Sequence, residues 1–246
     1  MQKKTVGLLG KDIEHSFSKK YFTEKFARKG ITDFVYENFP LDNLDAFNSL
    51  WESKPDLVGL NVTIPYKKTV IPFLAKLHVH AEKIGAVNVI KKRSDGSLKG
   101  YNTDYIGFMK SLLPLLEPHH KKALVLGTGG ASKAVQYALK ALQLDYKVVS
   151  RTPKKNQLSY DKLTKAIVKE YLVIINCTPL GTSPNTNDCP DLPYKHFSKQ
   201  HIAFDLIYNP EETLFLKQAK AKGATIQNGY EMLLLQADAS WKIWKK

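Results

Sequence analysis

A strand, a glycine turn and a helix in direct succession restrict the fold of this chain more than anything else in it. Residues 123–126 are an apolar run of strand length, Gly127-Thr128-Gly129-Gly130-Ala131-Ser132 follows with no spacer, and Ala134, Val135, Ala138, Leu139 and Leu142 then recur at helical spacing. Residues 146–149 supply a further apolar strand. Such a βαβ unit belongs to a parallel sheet with helices on both faces. The turn also suits an anion, because glycine lets backbone amides come close and a helix start presents N–H groups and a positive dipole end. Gly127 and Gly129 fill the first two positions of the GxGxxG pattern, and Ser132 stands at the third, where a small residue suffices for close packing.

The same alternation runs through the rest of the chain. Before the turn, residues 5–10, 35–39 and 57–62 read as strands and residues 16–29, 41–54 and 66–77 as helices, the first with Phe17, Tyr21, Phe22 and Phe26 at helical spacing. Residues 86–91 and 98–101 read as strands joined by a hairpin at Ser94-Asp95-Gly96. Beyond the turn, a helix over 132–142, strands over 172–176, 202–206 and 224–226, and a closing helix over 232–244 continue the pattern. Strands alternating with helices mean an α/β layer structure.

Composition excludes several classes of function. The 246 residues suffice for two modest domains with cores of their own, and 43% apolar and 24% charged content is ordinary for a globular protein. No apolar run reaches the ~18 residues of a membrane span, and Met1-Gln2-Lys3-Lys4 leads into a strand, not into the apolar core of a signal peptide. Cys177 and Cys189 lack CxxC spacing and fit a reducing compartment, so a cytoplasmic location is expected. The net charge of +14 invites a nucleic-acid partner, yet the lysines are spread from Lys3-Lys4 through Lys121-Lys122 to Lys245-Lys246. A solvated basic surface that attracts an anionic substrate and cofactor is the better reading. The histidines show no metal-ligand spacing, so no metal is expected; His78, His80, His119 and His120 are read as surface residues and Cys177 as packing.

The cofactor is read from the loop after the second strand of the βαβ unit. NAD-binding folds place Asp or Glu about 20 residues beyond the glycines, for the ribose 2′-hydroxyl. This chain has Ser150-Arg151-Thr152 there, with Lys154 and Lys155 following. A carboxylate repels a 2′-phosphate and Arg151 clasps it, so the expected cofactor is NADP. Two charge-assisted hydrogen bonds at about 1.5 to 3 kcal/mol each give a preference on the order of a hundredfold. A solvated basic turn is the alternative.

Two further motifs carry chemistry. Asn61-Val62-Thr63-Ile64-Pro65-Tyr66-Lys67 and Gly100-Tyr101-Asn102-Thr103-Asp104 set an ammonium and a carboxylate among short hydrogen-bonding side chains. Reducing a ketone leaves negative charge on its oxygen, which a positioned acid such as Lys67 stabilises and protonates. Either residue alone reads as half of a surface ion pair. Together with His15-Ser16-Phe17-Ser18, Gly85-Ala86-Val87-Asn88, Asn176-Cys177-Thr178-Pro179-Leu180-Gly181, Asp205-Leu206-Ile207-Tyr208-Asn209-Pro210 with Thr213, and Gln236 in its Met-Leu-x-x-Gln segment, the motifs resemble the shikimate dehydrogenase family from His15 to Gln236.

That resemblance implies a function and a set of roles. Lys67 and Asp104 form the catalytic pair; Ser16 and Ser18 hold the substrate carboxylate, although the residues alone equally allow the serines to cap a helix. Asn61, Thr63, Asn88 and Asn102 contact ring hydroxyls or brace loops, and Tyr208 and Gln236 reach the substrate. Gly127, Gly129, Gly130 and Ala131 hold the cofactor's phosphates, Ser150, Arg151, Thr152 and Lys155 its adenosine end, and Thr178 and Gly229 complete the cofactor residues. Ser150 stands where the family has Asn, Lys19 where proline is common, and Val89 where Thr is usual. The implied architecture is a substrate domain over residues 1–104, completed by 232–246, and a Rossmann-like NADP domain over 105–231, with a cleft between them. The expected activity is reduction of 3-dehydroshikimate to shikimate with NADPH, by a monomer or homodimer. A dehydrogenase that also accepts quinate and a non-catalytic NADP-binding regulator are the rivals.

Overall fold

Two sheets, one mixed and one wholly parallel, organise the chain. The structure, a computed structural model, describes residues 3–14 and 16–246, so His15 of the serine motif lies outside the described residues. The chain divides into two units, Met1–Thr103 with Ala237–Lys246, and Asp104–Gln236.

The first unit runs β1 (Lys4–Gly10), α1 (Phe17–Arg28), β2 (Phe34–Pro40), α2 (Phe47–Ser53), β3 (Leu57–Val62), α3 (Tyr66–Thr69), β4 (Lys76–Leu77), α4 (Val79–Ile84), β5 (Val89–Lys92) and β6 (Leu98–Tyr101). Its sheet has the order β2-β1-β3-β5-β6-β4. Strand β1 is parallel to both neighbours, whereas β5 is antiparallel to β3 and β6. Because successive strand residues face opposite ways, Val6 and Leu8 join Phe22 and Phe26 of α1 in one core, and Leu9 joins Phe47 and Trp51 of α2 in another. Each such side chain, fully buried, contributes about 1.5 to 3 kcal/mol. Both faces of the sheet are therefore covered.

The second unit runs α5 (Asp104–Leu112), β7 (Lys122–Leu126), α6 (Gly130–Ala141), β8 (Asp145–Val149), α7 (Lys165–Glu170), β9 (Val173–Asn176), β10 (Ile202–Asp205), α8 (Leu214–Lys220) and β11 (Thr225–Gln227). Its sheet is parallel throughout, in the order β11-β10-β9-β7-β8. Ala123 and Val125 pack with Val135, Ala138 and Leu139 of α6, while Leu124 and Leu126 pack with Phe215 and Leu216 of α8. Helix α9 (Tyr230–Trp244) begins in this unit and from Ala237 onward belongs to the first. There the Trp244 indole N–H donates to the Ile90 carbonyl at 3.0 Å, Tyr21 donates to Asp238 at 2.6 Å, and Lys25 pairs with the same carboxylate. The last helix thus returns to the first unit, as expected.

Several sequence expectations need correction. The helix expected over 41–54 forms only from Phe47, because Asn43 turns the chain by accepting the Asp45 N–H at 2.9 Å. The helix expected over 66–77 stops at Thr69 and gives way to a short 3-10 turn at Ile71–Phe73 and then strand β4. Pro72 is the cause: it lacks an N–H and disfavours helical backbone at Ile71. Helix α6 starts at Gly130, two residues before the expected start, while β5 starts at Val89 instead of residue 86. His119 is exposed, His78 and His80 are half-buried, and His120 is not a surface residue at all. Its ring accepts the Glu117 N–H at 2.9 Å and meets the Gln200 carbonyl at 3.0 Å, and burial lowers its pKa. It is a neutral bracket between two loops.

Candidate active site

In the first unit the chain leaves β1 for β2 on one side and then crosses to β3 on the other, which makes the carboxyl ends of β1 and β3 a switch point. Ligands of open α/β sheets bind at such places. Ser16 caps α1, its oxygen accepting the Ser18 N–H at 3.1 Å. Ser18 is half-buried, and its side chain opposes the upward pKa shift of the Tyr36 phenol on β2. Burial pushes the Tyr36 pKa up, so the phenol stays neutral and donates to Asn61 Oδ1 at 2.9 Å. Asn61 Nδ2 donates to the Asn88 carbonyl at 3.3 Å and to Ser240 Oγ on α9 at 3.1 Å. Ser240 Oγ lies 3.1 Å from Thr103 Oγ1, which accepts from Asn88 Nδ2 at 3.0 Å, and Asn88 Oδ1 accepts the Thr103 N–H at 2.6 Å.

Two expected substrate residues, Asn61 and Asn88, are therefore members of one buried and uncharged network. Asn102 is buried beside it and donates to the Ala86 carbonyl at 3.0 Å. Thr63 is half-buried at the exit of β3; its N–H binds the Leu9 carbonyl at 2.9 Å and its carbonyl accepts the Tyr66 N–H at 2.9 Å. That turn starts α3 and sets Lys67 on it, half-buried. The Lys67 carbonyl takes the Val87 N–H at 2.7 Å, which fixes α3 to the loop carrying Asn88.

In the second unit Asp104 is the first residue of α5 and is buried, directly after Thr103 in the chain. The glycine turn leaves β7 where the strand order reverses between β7 and β9. Gly127 has φ of 100°, a conformation that side chains rarely adopt, and a Cβ there would lie 3.1 Å from Thr178 Cγ2. Ser132, fully buried, donates to the Gly127 carbonyl at 2.7 Å and accepts from Gln136 Nε2 at 3.0 Å, so the residue at the third glycine position locks the turn. Gly129, the N-cap of α6, has open space where a Cβ would stand, and Gly130 and Ala131 open the helix. The space, the helix start and the absence of a capping side chain fit a pyrophosphate.

The other expected cofactor residues take distinct places. Ser150 is buried; its N–H binds the Leu158 carbonyl at 2.9 Å and its hydroxyl accepts the Thr152 N–H at 3.2 Å. That leaves Arg151, Thr152, Lys154 and Lys155 exposed on the loop after β8, a set that fits a phosphate and lacks the carboxylate a 2′-hydroxyl needs. Thr178 sends its N–H and its hydroxyl to Asn176 Oδ1 at 3.0 and 2.7 Å. Asn176 Nδ2 donates to Asp205 at 3.1 Å, and the same carboxylate accepts the Ile207 N–H at 3.0 Å and the Thr213 hydroxyl at 2.6 Å. Burial outweighs these donors and pushes the Asp205 pKa up to about 6. This hub ties the Thr178 loop to the turn carrying Tyr208, which is 37% exposed. Gly229 has a packing reason to be glycine, since a Cβ would lie 2.1 Å from the Leu206 carbonyl oxygen. Gln236 is buried, with Nε2 donating to the Leu233 carbonyl at 3.0 Å. Cys177 packs into the core beside these loops, and burial raises its thiol pKa.

Sequence reading missed Tyr36 and Ser240, the connectors of the first network, and Asn176 and Asp205 as the hub of the second. Ser240 left one signal, standing midway between Gln236 and Trp244 at four-residue steps on a helix whose neighbouring turns are apolar. Among the described residues no group of three or more His, Cys, Asp or Glu is placed to hold a metal ion, and no helix is long and apolar enough to cross a membrane.

A glycine turn opening a helix on a parallel sheet, carried by the same chain as a buried set of hydroxyls and amides, is the arrangement of α/β dinucleotide-binding oxidoreductases. The comparisons narrow that class: the chain belongs to the shikimate dehydrogenase family. Residues 8–90 match the family model for the shikimate dehydrogenase substrate binding domain. Shikimate dehydrogenase (NADP(+)) of Clostridium botulinum is 39% identical over 251 residues, covering 98% of this chain and 96% of that protein. A crystal structure of shikimate dehydrogenase in complex with NADP+ superposes with a TM-score of 0.86 at 32% identity, over 98% of this chain and 90% of the other. The Thermus thermophilus shikimate 5-dehydrogenase in complex with NADP(H) and shikimate gives 0.84 at 31% identity, over 98% and 93%.

Proposed function

We propose that the protein is an NADP-dependent shikimate dehydrogenase that interconverts 3-dehydroshikimate and shikimate in aromatic amino acid biosynthesis, the first unit acting as substrate domain and the second as cofactor domain. The observation that carries this reading is the convergence of Asn61 and Asn88 on one neutral network whose neighbouring loop holds Lys67. A hydroxylated ring with one carboxylate asks for neutral donors and acceptors around the ring and hydroxyl donors at the acid.

NADPH supplies the hydride. Gly127, Gly129, Gly130 and Ala131 hold its pyrophosphate, Arg151, Thr152 and Lys155 take its 2′-phosphate with Ser150 shaping their loop, and Thr178 and Gly229 border its nicotinamide end. Ser16 accepts the Ser18 N–H and so keeps its own O–H for the substrate carboxylate, beside Ser18. Asn61, Thr63, Asn88, Tyr208 and Gln236 position the ring. Lys67 donates a proton to the oxygen that becomes negative, and Asp104 holds that hydroxyl and orients the ammonium. A cytoplasmic monomer or homodimer completes the reading. NADPH absorbance should fall when 3-dehydroshikimate is added and fall far more slowly with NADH; no fall with either cofactor would refute the assignment.

A further inference from the structure

Two buried hydroxyls tie the Asn61 and Asn88 amides together, Tyr36 through Asn61 Oδ1 and Ser240 through Asn61 Nδ2 and Thr103. Tyr36 is 4% exposed and Ser240 fully buried, too deep for a surface role. Resting on the proposed reaction, we infer that these two hydroxyls are positioning residues that fix Asn61 and Asn88 for the substrate's ring hydroxyls, so that both amides are held by one network.

The direction of the bonds supports this. Tyr36 O–H donates to Asn61 Oδ1, which fixes the amide orientation and turns Nδ2 toward the Asn88 carbonyl and Ser240. Ser240 then meets Thr103, and Thr103 in turn holds Asn88 through both its N–H and its hydroxyl. Bonds in a low-dielectric chain polarise one another, so loss of one link loosens the rest. Ser240 also lies far in sequence from what it joins, 179 positions from Asn61 and 137 from Thr103.

Tyr36→Phe keeps the ring stacked 4.6 Å from Phe22 and deletes only the hydroxyl. It should raise the KM for shikimate roughly tenfold, and Ser240→Ala roughly fivefold, by the loss of one or two net hydrogen bonds. In both, KM should change more than kcat, and NADP+ affinity should stay at the wild-type value. The double variant should be no worse than about the larger single effect, because either lesion breaks the same network. Ser240→Thr restores the hydroxyl and should recover most of the KM. Melting temperatures that fall while the shikimate KM stays at its wild-type value, or KM increases that multiply in the double variant, would overturn the inference. If the wild type itself neither binds nor oxidises shikimate, the functional reading fails and takes the inference with it; wild-type turnover with unaffected variants sinks the inference alone.

Discussion

On the proposed reading each unit prepares a ligand site at the carboxyl ends of parallel strands, and the two do so by opposite means. In the first, side chains from β2, β3, β5's leading loop and α9 meet in a network whose partners are as much as 179 positions apart. In the second, the turn is made by consecutive residues, and its closing bond, from Ser132 to Gly127, spans five positions. A site built of side chains fails when a hydroxyl or amide is removed; a site built of backbone fails when a Cβ is added. The difference sets where each unit is vulnerable.

Deleting a functional group from the first unit should give the largest effect. Lys67→Ala should lower turnover about 10²- to 10⁴-fold, the usual contribution of a positioned proton donor, with NADPH affinity nearly intact in a fluorescence titration. Unchanged turnover would remove Lys67 from its role. Adding one carbon to the second unit should be nearly as damaging for a different reason. Gly229→Ala sets a methyl 2.1 Å from the Leu206 carbonyl oxygen, and denaturant unfolding should show a loss of roughly 3 kcal/mol or more. A stable variant with wild-type NADP binding would show that the turn yields.

The buried hub sharpens the contrast, because it is the second unit's own side-chain network. Asp205 titrates near 6 when folded, above its ordinary 3.8, so the folded state holds the proton more tightly than the unfolded chain. Its contribution is fully present below pH 3.8 and is lost as pH rises through about 6, by up to roughly 3 kcal/mol. Asp205→Asn should abolish that part of the pH dependence of the urea midpoint; identical profiles for both proteins would contradict the assignment. The smallest effect belongs to the exposed loop. Arg151→Ala should weaken NADPH about tenfold or more while leaving NADH binding nearly unchanged, and an equal loss for both would refute the phosphate clasp.

The same contrast explains what was legible in the sequence. The strand, glycine turn and helix of the second unit could be read because each depends on near neighbours: a φ of 100° at Gly127 follows from glycine itself, although the helix starts at Gly130, two residues earlier than its apolar spacing indicated. Even there the hub was hidden, since nothing near Asp205 announces that Asn176 will face it across two strands. In the first unit the motif residues were visible through family resemblance, but Tyr36 and Ser240 read as an ordinary strand aromatic and an ordinary helix serine. Their roles exist only after β2 pairs with β1 and α9 returns. Local chemistry also defeated two helices: Asn43 captured a backbone N–H, and Pro72 withheld one.

A crystal structure of the protein soaked with shikimate and NADP+ tests the account most directly. The account predicts the shikimate carboxylate on the hydroxyls of Ser16 and Ser18, its ring within the Asn61 and Asn88 contacts, and its reacting oxygen within hydrogen-bond reach of both Lys67 and Asp104. Shikimate held by the basic loop at Arg151, or a ring bound with Lys67 and Asp104 turned away from its oxygen, would contradict it.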